Sequence, residues 1–428
     1  MLVGTGARRV AIAGGVRIPF ARGHGAYAEV GDQEMLTAAL AAVVDRFGLR
    51  GERLGEVAAG AVMKHPSQWN LVRESVLGSG LSPQTPGLDL QRACGTGLEA
   101  AIQIGNKIAL GQIDAGIAGG ADTVSDPPVA FPRDFQRLLL KSYRARTTAA
   151  RASAWLGLRP RHFKPALPGI TEPRTGLSMG ESTELMVKTW GISREQQDQL
   201  ALESHRKAAE AYANGFYRGL VQPYLGLDRD NNVRADTSME KLAKLAPVFD
   251  RSGAGTLTAG NSTPMTDGAS AVLLCSEAWA RQRDLPVLAY LAYGKTAAVD
   301  YAGGREGLLM APAYAVPAML RDSGMRLQDF DYYEIHEAFA GQVLCTLQAW
   351  NDPAFCREKL ARDEVLGTID RSRLNVRGGS LAIGHPFAAT GGRLVATLAK
   401  ILDEQRGRRG LISVCTAGGM GVTAILER

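Results

Sequence analysis

The chain has 428 residues, enough for two or three domains or one large α/β unit with a sizeable core. At 45% hydrophobic and 21% charged residues its composition is globular, which excludes a disordered or fibrous chain. The net charge of +6, from 49 Lys plus Arg against 43 Asp plus Glu, is too diffuse to argue for nucleic acid.

Short apolar runs alternate with helical patterns from the start. Val10 to Ile12 reads as a strand, Gln33 to Phe47 as an amphipathic helix, Val57 to Val62 as a strand and Trp69 to Leu77 as a helix. A strand over Gly87 to Gln91, a Gly/Ala-rich helix from Cys94 to about Leu110 and a buried strand over Ala115 to Ala118 follow. From Asp122 to Phe249 the rhythm breaks, and that stretch reads as an inserted, mostly helical region. Strand signals return at Ala271 to Cys275 and open a second series at Val287 to Tyr293. It continues with helices over Tyr314 to Arg321, Glu337 to Trp350 and Gly391 to Leu402, and with strands over Tyr332 to Ile335, Gly410 to Val414 and Val422 to Leu426. The expected architecture is α/β: two similar αβ halves with one large insertion in the first.

Five cysteines, Cys94, Cys275, Cys345, Cys356 and Cys415, lie too far apart for a disulfide framework and point to a reducing, cytoplasmic setting. Met1 to Gly4 runs into Arg8 and Arg9 too soon for a signal peptide, and no apolar run approaches the roughly 18 residues of a membrane span.

Four segments pair a reactive side chain with small neighbours. In Arg92-Ala93-Cys94-Gly95-Thr96-Gly97, a cysteine where a helix opens is expected to have a lowered pKa, and Gly95 and Gly97 to clear space around its sulfur. His385, between Gly384 and Pro386, is a candidate general base. Cys415 ends a strand before the turn Ala417-Gly418-Gly419. In Glu334-Ile335-His336-Glu337-Ala338-Phe339-Ala340 a strand passes to a helix at a polar pair, and Ala340 excludes the zinc motif His-Glu-x-x-His. Zinc on Cys94, His336, His385 and Cys415 is conceivable by residue type, but the spacing matches no structural zinc ribbon, so no metal is expected. Gly4-Thr5-Gly6 precedes a strand and is no dinucleotide fingerprint. Asp228 to Asn232 resembles a calcium loop, but Val233 stands where Gly is required, so a polar surface turn is expected.

Taken in order, the four segments resemble the thiolase family across essentially the whole chain, as does Gly260-Asn261-Ser262-Thr263-Pro264-Met265-Thr266-Asp267-Gly268-Ala269. Within the family the chain is most similar to the β-subunit of bacterial fatty-acid oxidation complexes, through His336 in His-Glu-Ala-Phe, the run from Gly384 to Gly391 and the basic insertion. The resemblance implies a layered αβαβα core, with halves over 1–121 plus 250–284 and over 285–428, and a CoA-binding loop domain over 122–249. It implies thiolysis of 3-oxoacyl-CoA by CoA in fatty-acid β-oxidation, with CoA as substrate and no cofactor. In that reaction Cys94 is the nucleophile, His385 its base and Cys415 the acid that protonates the departing acetyl-CoA carbanion. His385 and His336 form one oxyanion site; the N–H groups of Cys94 and Ala417, in the turn with Gly418, form the other. Ala417 and Ala388 stand where the family commonly has Gly, and His336 where it commonly has Asn. Near CoA the resemblance places Thr263, Arg234, Met179 and Met310. It further implies a homodimer or larger homo-oligomer and an α-subunit with hydratase and dehydrogenase activity.

The same motifs serve biosynthetic condensation of two acetyl-CoA. A non-catalytic lipid-carrier or scaffold subunit would be expected to lack Cys94, His385 or Cys415, and all three are present. Between Arg133 and Arg174 ten Lys or Arg face Asp134 and Glu172, about +8, so the rest of the chain is slightly acidic. Arg137, Lys141 and Arg144 share one helix face, with Phe135, Leu138 and Leu139 on the other. That helix is expected to meet an anionic membrane surface, a partner subunit or the CoA phosphates.

Overall fold

The computed structural model describes residues 7–303 and 306–428; Met1 to Gly4 and Gly4-Thr5-Gly6 lie outside them. In the first half the elements are β1 (Val10–Arg17), β2 (Ala21–Arg22), α1 (Asp32–Arg46), β3 (Glu56–Ala59), α2 (Leu71–Gly78), β4 (Gly87–Asp89), α3 (Thr96–Ala109) and β5 (Ala115–Asp122). The insertion holds α4 (Arg133–Arg144), α5 (Thr148–Trp155), α6 (Met179–Trp190), α7 (Arg194–Ala213) and α8 (Met239–Ala243), after which β6 (Thr266–Ser276) and α9 (Glu277–Gln282) close the half. The second half holds β7 (Ala289–Ala298), α10 (Pro312–Ser323), β8 (Tyr332–Ile335), α11 (Ala340–Trp350), α12 (Pro353–Leu360), α13 (Ser380–Ile383), α14 (Ala389–Glu404), β9 (Arg409–Thr416) and β10 (Met420–Glu427).

All strands but β2, which pairs with β6, follow one path, β4-β3-β5-β6-β1-β7-β10-β9-β8, and the halves join where Ala11 and Ile12 of β1 pair with Tyr290 and Ala289 of β7. Helices α1 and α2 cover the first set of strands, α10 the second, and α3 and α14 lie between, touching strands of both. That is a layered αβαβα core, as expected. β6 is buried along its whole length because α1 and α14 pack on it, which is why Ala271 to Cys275 reads as an unbroken apolar run. The middle helices approach closely at glycines: a Cβ on Gly391 would fall 2.0 Å from the Leu98 nitrogen, and one on Gly97 2.6 Å from the Ala388 carbonyl. Gly97 therefore serves helix packing, and Gly95 the contact with Val422 and Thr416.

The insertion has two parts. α6 and α7 pack on α11, and Met186, Val187 and Leu200 join the core of the second half. The stretch 129–170 instead builds a small cluster of its own around Phe135, which meets Phe131, Trp155, His162 and Phe163. Asp228 to Asn232 is a surface turn only in part: Asp228, Arg229 and Asn231 are exposed, but Asp230 and Asn232 are buried. Asp230 is buried and takes both Arg17 Nη atoms at 2.5 and 2.6 Å and the Phe20 N–H at 2.7 Å, fastening the insertion to β1. Helix α11 begins at Ala340 and not at Glu337, because Phe339 is extended and the Ala338 carbonyl accepts the Thr263 N–H at 3.1 Å.

Candidate active site

Cys94 lies two residues before α3, in a turn closed by Thr96, whose Oγ1 donates to the Ala93 carbonyl at 2.7 Å and accepts the Arg92 N–H at 2.9 Å. Ala93 is held at φ +44, a left-handed conformation costing a non-glycine residue about 1–3 kcal/mol, and so fixes the direction of the next side chain. The N–H groups of Ala417 and of Cys94 itself lie close enough to the Cys94 sulfur to favour thiolate. Cys94 keeps some open surface, yet the packed protein around its sulfur outweighs them and pushes the thiol up to about 12. The lowering expected from the helix start is thus overturned, and the resting group is a thiol.

His385 follows Gly384, whose φ of +109 only glycine adopts freely, and its N–H donates to Thr266 Oγ1 at 2.7 Å. Its Nδ1 is 2.6 Å from Thr390 Oγ1, and its Nε2 is buried without a protein partner. Burial, aided by the Arg393 charge, lowers His385 to about 3, so it is a neutral imidazole at neutral pH. His336 extends β8 by one bond, donating its N–H to the Ser413 carbonyl of β9 at 2.8 Å, which sets it beside the strand that ends in Cys415. The His336 and His385 rings are 4.0 Å apart, and His336 Nε2 is likewise buried and unpartnered. Burial, then His385 and Arg393, hold His336 well below its ordinary value, so it carries no charge. Burial and the nearby Cys94 raise the Cys415 thiol well above its ordinary value and keep it protonated, with the Ala338 N–H on its sulfur.

The four side chains singled out by sequence thus form one buried centre: Cys94 from the first half, His336, His385 and Cys415 from the second. Several supporting residues escaped the sequence reading. Asp122, at the end of β5, accepts the N–H groups of Val62, Met63 and Ala388 at 2.8, 2.9 and 2.6 Å, joining both halves beside Cys94. Glu337 holds Asn375, Ser204 and the Leu381 N–H at 2.6, 2.8 and 3.2 Å, bracing both histidine loops. Glu172 reaches from the insertion to accept the Gly418 N–H at 2.6 Å and the Tyr301 hydroxyl at 2.9 Å, steadying the turn that carries the Ala417 N–H. Only their polar type marked them, and their burial is a tertiary property.

Arg234 lines a cavity of about 320 Å³ with Arg22, Lys241, His205 and Leu381, the last adjacent in sequence to Ser380 at the His336 ring. Thr263 adjoins Pro264, which lines that cavity, and its own N–H donates to the Ala338 carbonyl at 3.1 Å. The two methionines lie elsewhere: Met310 is buried and lines a second cavity of about 270 Å³ with Tyr301 and Met186, and Met179 opens α6 against the core. Among the described residues no group of three His, Cys, Asp or Glu is placed to hold a metal ion, and no helix is long and apolar enough to cross a membrane.

A thiol with two backbone N–H donors at its sulfur, a neutral imidazole and a second, protonated thiol define a centre for acyl transfer through a thioester. Comparisons with known proteins agree. The family models described as the thiolase N-terminal and C-terminal domains match residues 10–278 and 285–428. Curated proteins named 3-ketoacyl-CoA thiolase are 40% identical over 425 residues: one from Pectobacterium carotovorum subsp. carotovorum, covering 98% of this chain and 96% of that protein, and one from Yersinia pestis, covering 98% and 97%. The crystal structure of the Bacillus anthracis acetyl-CoA acetyltransferase superposes with a TM-score of 0.81 at 28% identity, over 99% of this chain and all of that one. The chain belongs to the thiolase family and is an acyltransferase, close to the fatty-acid oxidation type.

Proposed function

We propose that the protein is a 3-ketoacyl-CoA thiolase that cleaves 3-oxoacyl-CoA with CoA in fatty-acid β-oxidation. The observation that carries this reading is the meeting of cysteines from the two halves with two histidines whose rings lie 4.0 Å apart and whose Nε2 atoms are buried and unpartnered. His385 Nε2 takes the Cys94 proton as the sulfur attacks the 3-keto carbon; free thiolate is disfavoured by burial, so proton transfer accompanies bond formation. His336 receives the developing oxyanion. The C2–C3 bond breaks, Cys415 gives its proton to C2, and acetyl-CoA leaves an acyl group on Cys94. The thioester oxygen then faces the N–H groups of Cys94 and Ala417, on the turn that includes Gly418. Incoming CoA returns a proton to Cys415 and takes the acyl group, and His385 gives its proton back to Cys94.

The CoA moiety binds in the cavity that holds Arg234, with Arg22 and Lys241 suited to its phosphates and Thr263 toward the pantetheine. The family resemblance would set Met179 and Met310 near the bound thioester, although Met310 lines the separate second cavity and Met179 packs on the core. Three units follow: 1–121 with 250–284, the insertion 122–249, and 285–428. The test is CoA-dependent thiolysis across 3-oxoacyl-CoA chain lengths. Activity confined to acetoacetyl-CoA would favour the acetyltransferase named for the Bacillus anthracis neighbour; no turnover would favour the non-catalytic scaffold.

The enzyme is cytoplasmic, a homodimer or larger homo-oligomer, and a partner of an α-subunit with hydratase and dehydrogenase activity. It makes a peripheral membrane contact through 133–174. This is supported by Arg137, Lys141 and Arg144 exposed on α4 and by exposed Tyr143, Leu156 and Phe163, the pairing an anionic lipid surface attracts. Co-sedimentation with anionic vesicles tests it, and binding no stronger than that of an Arg137/Lys141/Arg144→Ala variant would remove it.

A further inference from the structure

The two histidines of the centre are held by different hydroxyls, and those hydroxyls differ in their second partner. Thr390 Oγ1, 2.6 Å from His385 Nδ1, donates its proton to the Pro386 carbonyl one helical turn back at 3.2 Å. A hydroxyl has one proton, so toward His385 it accepts. Nδ1 then carries hydrogen, and Nε2 presents a lone pair. Ser380 Oγ, 2.8 Å from His336 Nδ1, accepts from Arg393 Nη2 at 2.9 Å. A guanidinium only donates, which leaves the Ser380 proton for His336 Nδ1, the one acceptor beside it. Here Nδ1 is the lone pair and Nε2 carries hydrogen.

We propose that Ser380, oriented by Arg393, and Thr390 are positioning residues that lock His336 and His385 in opposite tautomers. One buried centre thereby holds a hydrogen-bond donor at His336 Nε2 and a proton acceptor at His385 Nε2. The inference rests on the base and oxyanion roles given above, and it explains how two like rings 4.0 Å apart do unlike work. It also accounts for Arg393, a fully buried charge on α14 that faces Glu334 and Glu337 and uses one of its bonds on Ser380. The fixed cation disfavours a second positive charge on either imidazole, so the tautomers and not protonation states distinguish them.

The direct test is long-range proton–nitrogen correlation on protein labelled with ¹⁵N-histidine at neutral pH, assigned with His336→Asn and His385→Asn. The expected result is Nε2–H at His336 and Nδ1–H at His385; the same tautomer at both sites overturns the proposal. Kinetics give a second readout, because alkylation of Cys94 by iodoacetamide needs the base but no oxyanion site. Ser380→Ala should lower the kcat of thiolysis by about 10²–10³-fold while Cys94 alkylation, followed by peptide mass, stays within about twofold; Ser380→Thr should restore part of the loss. Thr390→Val should slow both reactions, and Thr390→Ser should restore both. Equal slowing of both reactions by Ser380→Ala overturns the split. Absence of thiolysis in the wild type would instead sink the functional reading and leave the tautomers to be decided by resonance.

Discussion

The catalytic centre and the stretch 129–170 depart from the usual partition of residues in opposite directions. In the centre Arg393, Glu334, His336 and His385 are buried, several of their polar atoms without protein partners. In the stretch, Leu156 and Tyr143 are 88% and 85% exposed among nine basic residues. Folding alone would place neither set this way, since buried polar atoms want partners and apolar side chains want cover. In the centre the unpartnered Nε2 atoms of His336 and His385 are the ones that the proposed reaction uses. In the stretch the exposed apolar groups are the ones that the proposed lipid contact would cover.

The comparison can be broken most sharply at the nucleophile. Cys94→Ala should leave no acyl-enzyme by intact mass and no thiolysis; a persisting adduct would move the nucleophile elsewhere. His385→Asn should lower kcat by about 10²–10⁴-fold, the usual contribution of a positioned base. Because His385 is depressed to about 3, its neutral form persists as pH falls, and kcat/KM should show no acid limb near 6.5 between pH 5 and 8. A limb there would mean that the ring is solvated in the working enzyme. The same depression acts on stability. The unfolded chain takes up protons below about pH 6.5 that folded His385 and His205, lowered to about 4, refuse, while Asp122 and Glu334, raised to about 7 and 8, hold protons that the unfolded chain lacks and act the other way; His205→Gln should therefore gain in Tm relative to the wild type as pH drops from 6.5 towards 4. Glu172→Ala should destabilise the protein by about 1.5–3 kcal/mol in denaturant melts, the range for a hydrogen bond to a charged group. The smallest effect on turnover belongs to Arg137/Lys141/Arg144→Ala, which should keep kcat with soluble substrate within about twofold while vesicle binding falls. An equal loss of both would place α4 in the active centre and erase the contrast.

Much of the fold could be read from the chain because its signals are local. Tyr332–Ile335 was bounded to the residue, and α1, α3, α10 and α14 to within a few, since each carries a clear apolar period. Short α12 and α13 were missed; one is marked only by Asp352 and Pro353 at its start, and the other has four residues and no periodicity. The site was legible as types and order: Cys94, His336, His385 and Cys415 each sit beside small residues. Their electrostatics were not. The Cys94 thiol was expected low and lies high, because desolvation depends on atoms brought from β9, β10 and α14, far away in sequence. Asp230, assigned to the surface, is buried for the same kind of reason, its partner Arg17 being 213 residues away.

The chain that leaves the outward-facing stretch reaches the centre at once. Glu172, two residues beyond that stretch, holds the Gly418 amide, so it tethers the turn behind Cys415. Anyone transplanting this segment onto another thiolase, or trimming it to improve expression, should treat Glu172 and Tyr301 as part of the recipient's catalytic scaffold. A swap with its downstream boundary before residue 172 would leave that turn to the host, whereas one that carries Glu172 without Tyr301 would import a carboxylate lacking its second anchor.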